Sequence, residues 1–192
     1  MAWHPWVASA QGRFELSGQG VVLRLAEFDM TDVGAGVQVG GALTPAIALD
    51  GALAWFPNGD SLSSGLLPAQ QRFLGVAGVR AGLHRGRLGV FGKARPGFLR
   101  FAQQESAVCI AIAIFPVPLG CLLATGYTAF VVDVGGGVDF DLGSSGRSYV
   151  RVEAGDLMIR YDLEAFRPRG GITDGFTGHN FNVAAGIGWR FR

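Results

Sequence analysis

The chain has 192 residues, enough for one domain. Its side chains are 49% hydrophobic and only 16% charged, with a mean hydropathy of +0.31. The net charge is +1 and Lys93 is the only lysine, so there is no basic patch of the kind a nucleic-acid partner requires. A helical membrane protein of this hydropathy needs runs of about 20 apolar residues. One stretch approaches that length; elsewhere the hydrophobicity is broken into short alternating pieces with 31 glycines among them.

Residues 1–11 carry no charged n-region and no apolar h-region of usable length. Ala8, Ser9 and Ala10 have the small-x-small form of a cleavage site. The segment is read as the tail of a signal peptide or as a short disordered terminus, with a barrel domain over 12–192. The first strand is expected over 12–25, where Phe14 and Leu16 oppose Glu15, Ser17 and Gln19; its second half is ambiguous. A strand over 33–44 alternates Val33, Ala35, Val37, Val39 and Leu43 with Gly34, Gly36, Gln38 and Gly40. Another, over 46–56, sets Ile47, Leu49, Leu53 and Trp55 against Ala48, Asp50, Ala52 and Ala54. Successive strand side chains point to opposite faces, so each segment has one greasy and one small or polar face.

The strand over 73–83 places Arg80 opposite Val79 and Leu83. In 87–101, Lys93 and Arg95 oppose Val90 and Phe98, Phe91 falls on the polar parity, and Pro96 predicts a bulge or local break. The segment 127–142 repeats the alternation, with Phe130, Val132, Val134, Val138, Phe140 and Leu142 against Asp133, Gly135, Gly137, Asp139 and Asp141. In 148–161, Arg151 and Glu153 oppose Val150 and Val152; the apolar set then changes parity to Leu157, Ile159 and Tyr161, which predicts a bulge at Gly155. The last strand, 179–192, sets His179, Phe181, Val183, Ala185, Ile187, Trp189 and Phe191 against Asn180, Asn182, Ala184, Gly186, Gly188, Arg190 and Arg192.

The connections alternate in length. Those at 44–45, 84–86 and 143–146 are tight; those at 27–32, 57–72, 102–126 and 162–178 are longer. This is the signature of an all-β, eight-stranded antiparallel up-and-down transmembrane β-barrel with short periplasmic turns and longer extracellular loops. A soluble barrel would carry charge on its second parity; here that parity is mostly Gly, Ala, Ser, Asn and Gln, which suits a narrow lumen. The greasy parity then meets lipid, with Phe14, Trp55, Phe73, Phe98, Phe130, Phe140, Tyr161, Trp189 and Phe191 near strand ends as interfacial girdles.

Four acids and four bases from different strands point into that lumen: Glu15, Asp50, Arg80, Lys93, Arg95, Asp133, Arg151 and Glu153. Unpaired buried charge is very costly, so they are read as a structural ion-pair network, with an ion path or gate as the alternative. Cys109 and Cys121 are read as a disulfide in the longest loop, since an exported chain meets an oxidising compartment. That loop, over 106–124, is strongly apolar; Pro116, Pro118 and Gly120 argue against a spanning helix and favour a segment folded over the barrel mouth or docked on a partner. The glycines at 34, 36, 40 and 135–137 lie within strands and are read as close packing rather than a phosphate loop.

Residues 128–140, with Phe130, Asp133 and Phe140, resemble the bacterial outer-membrane β-barrel superfamily, which includes the OmpA membrane domain and the opacity-type porin-family surface proteins. Residues 92–101 and 179–191 carry the same likeness. The resemblance implies an eight-stranded barrel with no cofactor, located in the bacterial outer membrane. It implies a role in envelope integrity, adhesion or surface interaction. Partners are then outer-membrane lipid and an extracellular or envelope protein reached through the long loops. Members usually end in an aromatic residue read by the assembly machinery; here Phe191 is penultimate and Arg192 last. No peptidoglycan-binding domain is expected after the barrel. The alternatives are a narrow pore or transporter for small solutes, a lipid-modifying enzyme using His179, and a soluble ligand-binding barrel. His179 has Asn180 and Asn182 rather than a serine beside it, and is read as a rim histidine without a catalytic role.

Overall fold

A computed structural model describes residues 14–58, 71–102, 126–143, 146–161 and 175–191. It contains eight strands: β1 (Phe14–Leu25), β2 (Met30–Ala42), β3 (Ile47–Asn58), β4 (Arg72–Arg85), β5 (Leu88–Phe101), β6 (Tyr127–Leu142), β7 (Ser148–Tyr161) and β8 (Phe176–Phe191). Each pairs antiparallel with its neighbour, and β8 returns to β1 to close the barrel, from Phe14 opposite Phe191 to Arg24 opposite Phe181. Closure leaves no strand edge, the condition for a sheet to stand in hydrocarbon where water cannot satisfy backbone groups. Short turns join β2–β3, β4–β5 and β6–β7 at the end that also holds Phe14 and Phe191; three long connections lie at the other end.

The alternating pattern sorts side chains by face. Val37, Val39, Leu49, Leu53, Val79, Val90, Val138, Val152 and Ile187 stand exposed on the outer wall. Phe14, Phe140, Trp189 and Phe191 ring it at the short-turn end, and Trp55, Phe73, Phe98, Phe130 and Phe181 at the long-loop end. An apolar band between two aromatic girdles is the surface a bilayer solvates.

The interior has two storeys. Near the short turns it is charged. Toward the long loops it is an apolar core that includes Val21, Leu23, Leu25, Phe56, Leu74, Leu99, Phe101, Val131, Leu157, Ile159 and Tyr161. This layering corrects two expectations. No bulge occurs at Gly155: β7 keeps one register against β6 and β8 from Ser148 to Tyr161. The apolar set changes parity because the lumen changes chemistry, with Glu153 below Gly155 and Leu157 above it on the same inward face. Tyr161 likewise belongs to the core and not to the outer girdle. The ambiguous upper half of β1 has the same cause, since Val21, Leu23 and Leu25 continue the inward parity of Glu15 and Ser17.

One further correction concerns a boundary, and two features concern the ladders. The connection expected over 27–32 is only Ala26–Asp29, a 3-10 turn over Ala26–Phe28 that ends with Asp29 in the left-handed region at φ 48°; β2 therefore starts at Met30 and carries Asp32 inside. Pro96 gives the local break expected of it and not a bulge, since β5 holds its register to both neighbours. Only the ladder to β4 is interrupted, between the Val76–Gly97 and Val79–Ala94 pairs. The register shift instead falls between Val33 and Ala35 of β2, opposite the stretch of β3 that contains Pro57, whose missing N–H cannot join the ladder.

Candidate functional site: the charged lumen

The narrow barrel brings the inward parities of all strands to one axis. Glu15, Asp50, Arg80, Lys93, Arg95, Asp133, Arg151 and Glu153 are all buried there. They form two clusters. The first centres on Arg95 of β5. Its guanidinium donates to Asp133 (Nε to Oδ2 2.9 Å, Nη2 to Oδ2 2.5 Å), to Glu153 (3.0 Å) and to Asp50 (3.2 Å). Lys93 donates to Glu153 at 2.8 Å and lies 3.0 Å from Asp133. Gln38 donates to Asp50 (2.6 Å) and Glu153 (3.0 Å), and Asn182 to Asp133 (3.1 Å). Six strands are thereby tied across the axis by charge-assisted hydrogen bonds, the stronger class of such bonds.

The second cluster lies closer to the short turns and is a stack. The Arg80 and Arg151 guanidiniums sit over the Phe91 ring, at 5.1 and 5.2 Å from its centre. Arg151 and Arg190 sit over the Tyr149 ring, at 4.8 and 4.3 Å. Cations and aromatic faces thus alternate from Arg80 through Phe91, Arg151 and Tyr149 to Arg190, a favourable pairing in a desolvated site. Carboxylates bind the cations edge-on. Glu15 accepts from Arg80 and, at 3.1 Å, from Arg151. Asp139 takes both Nε and Nη2 of Arg151 at 2.6 and 2.9 Å, and Nη2 of Arg190 at 3.1 Å. Asp141 accepts from Arg190 and lies 3.0 Å from the His84 Nε2.

Among the described residues the lower lumen holds six carboxylates, Glu15, Asp50, Asp133, Asp139, Asp141 and Glu153. It holds five fixed cations, Arg80, Lys93, Arg95, Arg151 and Arg190, with His84 as a sixth basic group. Asp139, Asp141 and Arg190 share the inward parity visible in the sequence and add to the eight residues expected in the network. Arg72 and Asp32 fall within the connections expected over 57–72 and 27–32 but belong to β4 and β2. They are ion-paired at the long-loop end, and Arg72 lies 5.5 Å from the Phe101 ring centre. Phe91, on the polar parity, is the ring shared by Arg80 and Arg151 in the stack.

A cavity of about 50 Å³ opens at the short-turn mouth, between Glu15, Arg80, Asp139 and Arg190 and the turn at Thr44–Ala46. It has room for a few water molecules. Among the described residues, no three His, Cys, Asp or Glu side chains stand together as a metal site. His179 is on the outer wall, its Nδ1 2.6 Å from Asp156 Oδ2. Cys109, Cys121 and the apolar stretch 106–124 lie outside the described residues.

The fold is shared with solved outer-membrane barrels. Neisserial surface protein A matches with a TM-score of 0.59 at 10% identity, over 95% of this chain and 98% of that one. OprG of Pseudomonas aeruginosa matches with 0.52 at 10% identity, over 94% and 96%. Ail, the attachment invasion locus protein of Yersinia pestis, solved with the heparin analogue sucrose octasulfate, matches with 0.50 at 11% identity, over 94% and 97%. No family model and no curated protein matches the chain. The chain is thus an eight-stranded up-and-down barrel of the outer-membrane type. It shares this fold with Neisserial surface protein A and with the N-terminal β-barrel domain of Pseudomonas aeruginosa OprF.

Proposed function

We propose that this chain is a non-enzymatic structural and surface-interaction barrel of the bacterial outer membrane, with the interaction carried by its long connections. The supporting observation is the filling of the lumen. Arg95 bonds three carboxylates from three other strands, and above it Leu23, Phe56, Leu99, Phe101, Leu157 and Ile159 are fully buried across the bore. An ion entering at the short-turn mouth meets a polar floor and then a storey lined chiefly by apolar side chains, with the Asp32–Arg72 pair at its far end. The pore reading is disfavoured by that storey, and the eight charged residues act as a structural network. With the lumen occupied, the surfaces left for partners are the lipid-facing wall and the connections over 59–71, 102–126 and 162–175.

Two measurements test this. Purified barrel reconstituted in planar bilayers should give no steady conductance above the lipid background. Replacing residues 103–125 by a short Gly-Ser linker should abolish attachment to host cells or to a sulfated glycan, while heat-modifiable gel mobility is retained. The heparin analogue in the Ail structure makes such a glycan the first soluble probe. Steady channels in the unaltered barrel, or attachment unaffected by the replacement, would overturn the reading.

A further inference from the structure

The outer wall at the long-loop end is not uniformly apolar. Arg100 of β5 and Arg160 of β7 point outward and are exposed. Each stands within the aromatic girdle. Arg100 lies in register between Phe73 and Thr128, and donates to the Thr128 hydroxyl at 2.8 Å. Arg160 lies in register between Phe130 and Thr177, and Phe130 is itself opposite Phe98. Among the described residues, the acidic group on the same upper face of β7 and β8 is Asp156, which is engaged by His179 at 2.6 Å. Among the described residues no carboxylate pairs with Arg100 or Arg160, in contrast to Arg24, which pairs with Asp29 at 3.2 Å.

Below this level the same strands present Val134, Val138, Val150, Val152 and Ile187 to the surroundings. Two guanidiniums therefore sit where hydrocarbon gives way to headgroups, flanked by hydroxyls and aromatic rings. Arginine with no acid among the described residues at that depth is matched by phosphate, which its planar donors bind in a fork. Aromatic rings beside it suit the acyl–headgroup boundary.

We infer that the β5–β7 wall, through Arg100 and Arg160, is a docking surface for phosphate-bearing lipid headgroups of the leaflet on the long-loop side. The inference deepens the membrane-barrel reading and rests on it. The partner is a lipid rather than free phosphate, because the cations lie on the wall directly above the apolar band and not in a closed pocket.

The full chain folded in a zwitterionic detergent is titrated with dioctanoyl phosphatidic acid, with dioctanoyl phosphatidylcholine and with inorganic phosphate, and bound lipid is counted by native mass spectrometry. The unaltered barrel should prefer phosphatidic acid over phosphatidylcholine about tenfold or more, the effect of two arginines on an anionic headgroup. R100Q/R160Q should bring the two lipids within about twofold, with heat-modifiable mobility unchanged. R147Q, at the short-turn end, should keep the full preference. No preference in the unaltered barrel, a preference that survives R100Q/R160Q, an equal loss in R147Q, or displacement of the lipid by equimolar inorganic phosphate would each overturn the inference. A barrel that still shows heat-modifiable mobility in those cases leaves the membrane-barrel reading standing; a chain that stays soluble and unshifted without detergent sinks both.

Discussion

At the scale of single residues, Arg151 is the point where the second cluster is most tightly knotted. Its guanidinium is sandwiched between Phe91 and Tyr149 and donates to Glu15 and Asp139. Arg151→Met should remove a cation shared by two buried carboxylates, leaving Glu15 to Arg80 and Asp139 to Arg190 and the lower lumen one positive charge poorer, and lower the unfolding free energy by about 3–5 kcal/mol. Urea unfolding in lipid vesicles, followed by tryptophan fluorescence, measures it; a loss below about 1 kcal/mol would contradict the stacked arrangement. The neighbouring glycines are small for a steric reason. A Cβ on Gly188 would lie 2.5 Å from the Tyr149 ring, and one on Gly137 2.7 Å from the Phe91 ring. Gly188→Val should therefore push Tyr149 out of the stack and cost about 1–3 kcal/mol in the same assay. The sequence made Gly188 and Arg151 legible as lumen-facing, because both follow from parity. It could not say that Gly188 faces Tyr149, the ring on which Arg151 stacks, since residues 39 positions apart become neighbours only when β7 pairs with β8.

Strands show where pattern reading succeeds and where it misleads. In β6 and β8 each outward residue is greasy and each inward one small or polar along nearly the whole length, so period-two alternation reported both faces correctly. In β7 the inward face passes from Arg151 and Glu153 to Leu157 and Ile159. A rule that equates greasy with outward then reads a change of environment as a change of register. The same rule misplaced Tyr161. Depth along the outward face is a separate variable and yields its own test. Val134, midway along β6, and Leu83, two residues from the short-turn end of β4, are similarly exposed at 42% and 47%. Arginine at Val134 should cost about 2–4 kcal/mol and at Leu83 about 0–1 kcal/mol, because the charge near the edge reaches headgroups. Equal costs in vesicle unfolding would show that the wall is not oriented across a bilayer as its girdles indicate.

For the whole molecule the two-storey lumen is the decisive feature. Its charged half joins six strands across the bore, and its apolar half packs the bore toward the opposite strand ends. If that apolar storey is the seal, L99S/V131S/L157S should admit water and raise conductance in planar bilayers, whereas Arg95→Gln, with the storey intact, should leave the bilayer silent. Conductance in Arg95→Gln and none in the triple variant would move the seal to the ion pairs.

Composition, the alternation of greasy with small residues and the order of short and long connections were sufficient to specify an eight-stranded barrel with a lipid-facing wall, because each depends only on a strand's own period of two. Closure of the sheet decided the rest. It set which charges share a carboxylate, placed Phe91 between two arginines, paired Asp32 with Arg72 and made the upper lumen apolar. Those are relations between strands far apart in the chain, fixed by register and bore, and no local period encodes them.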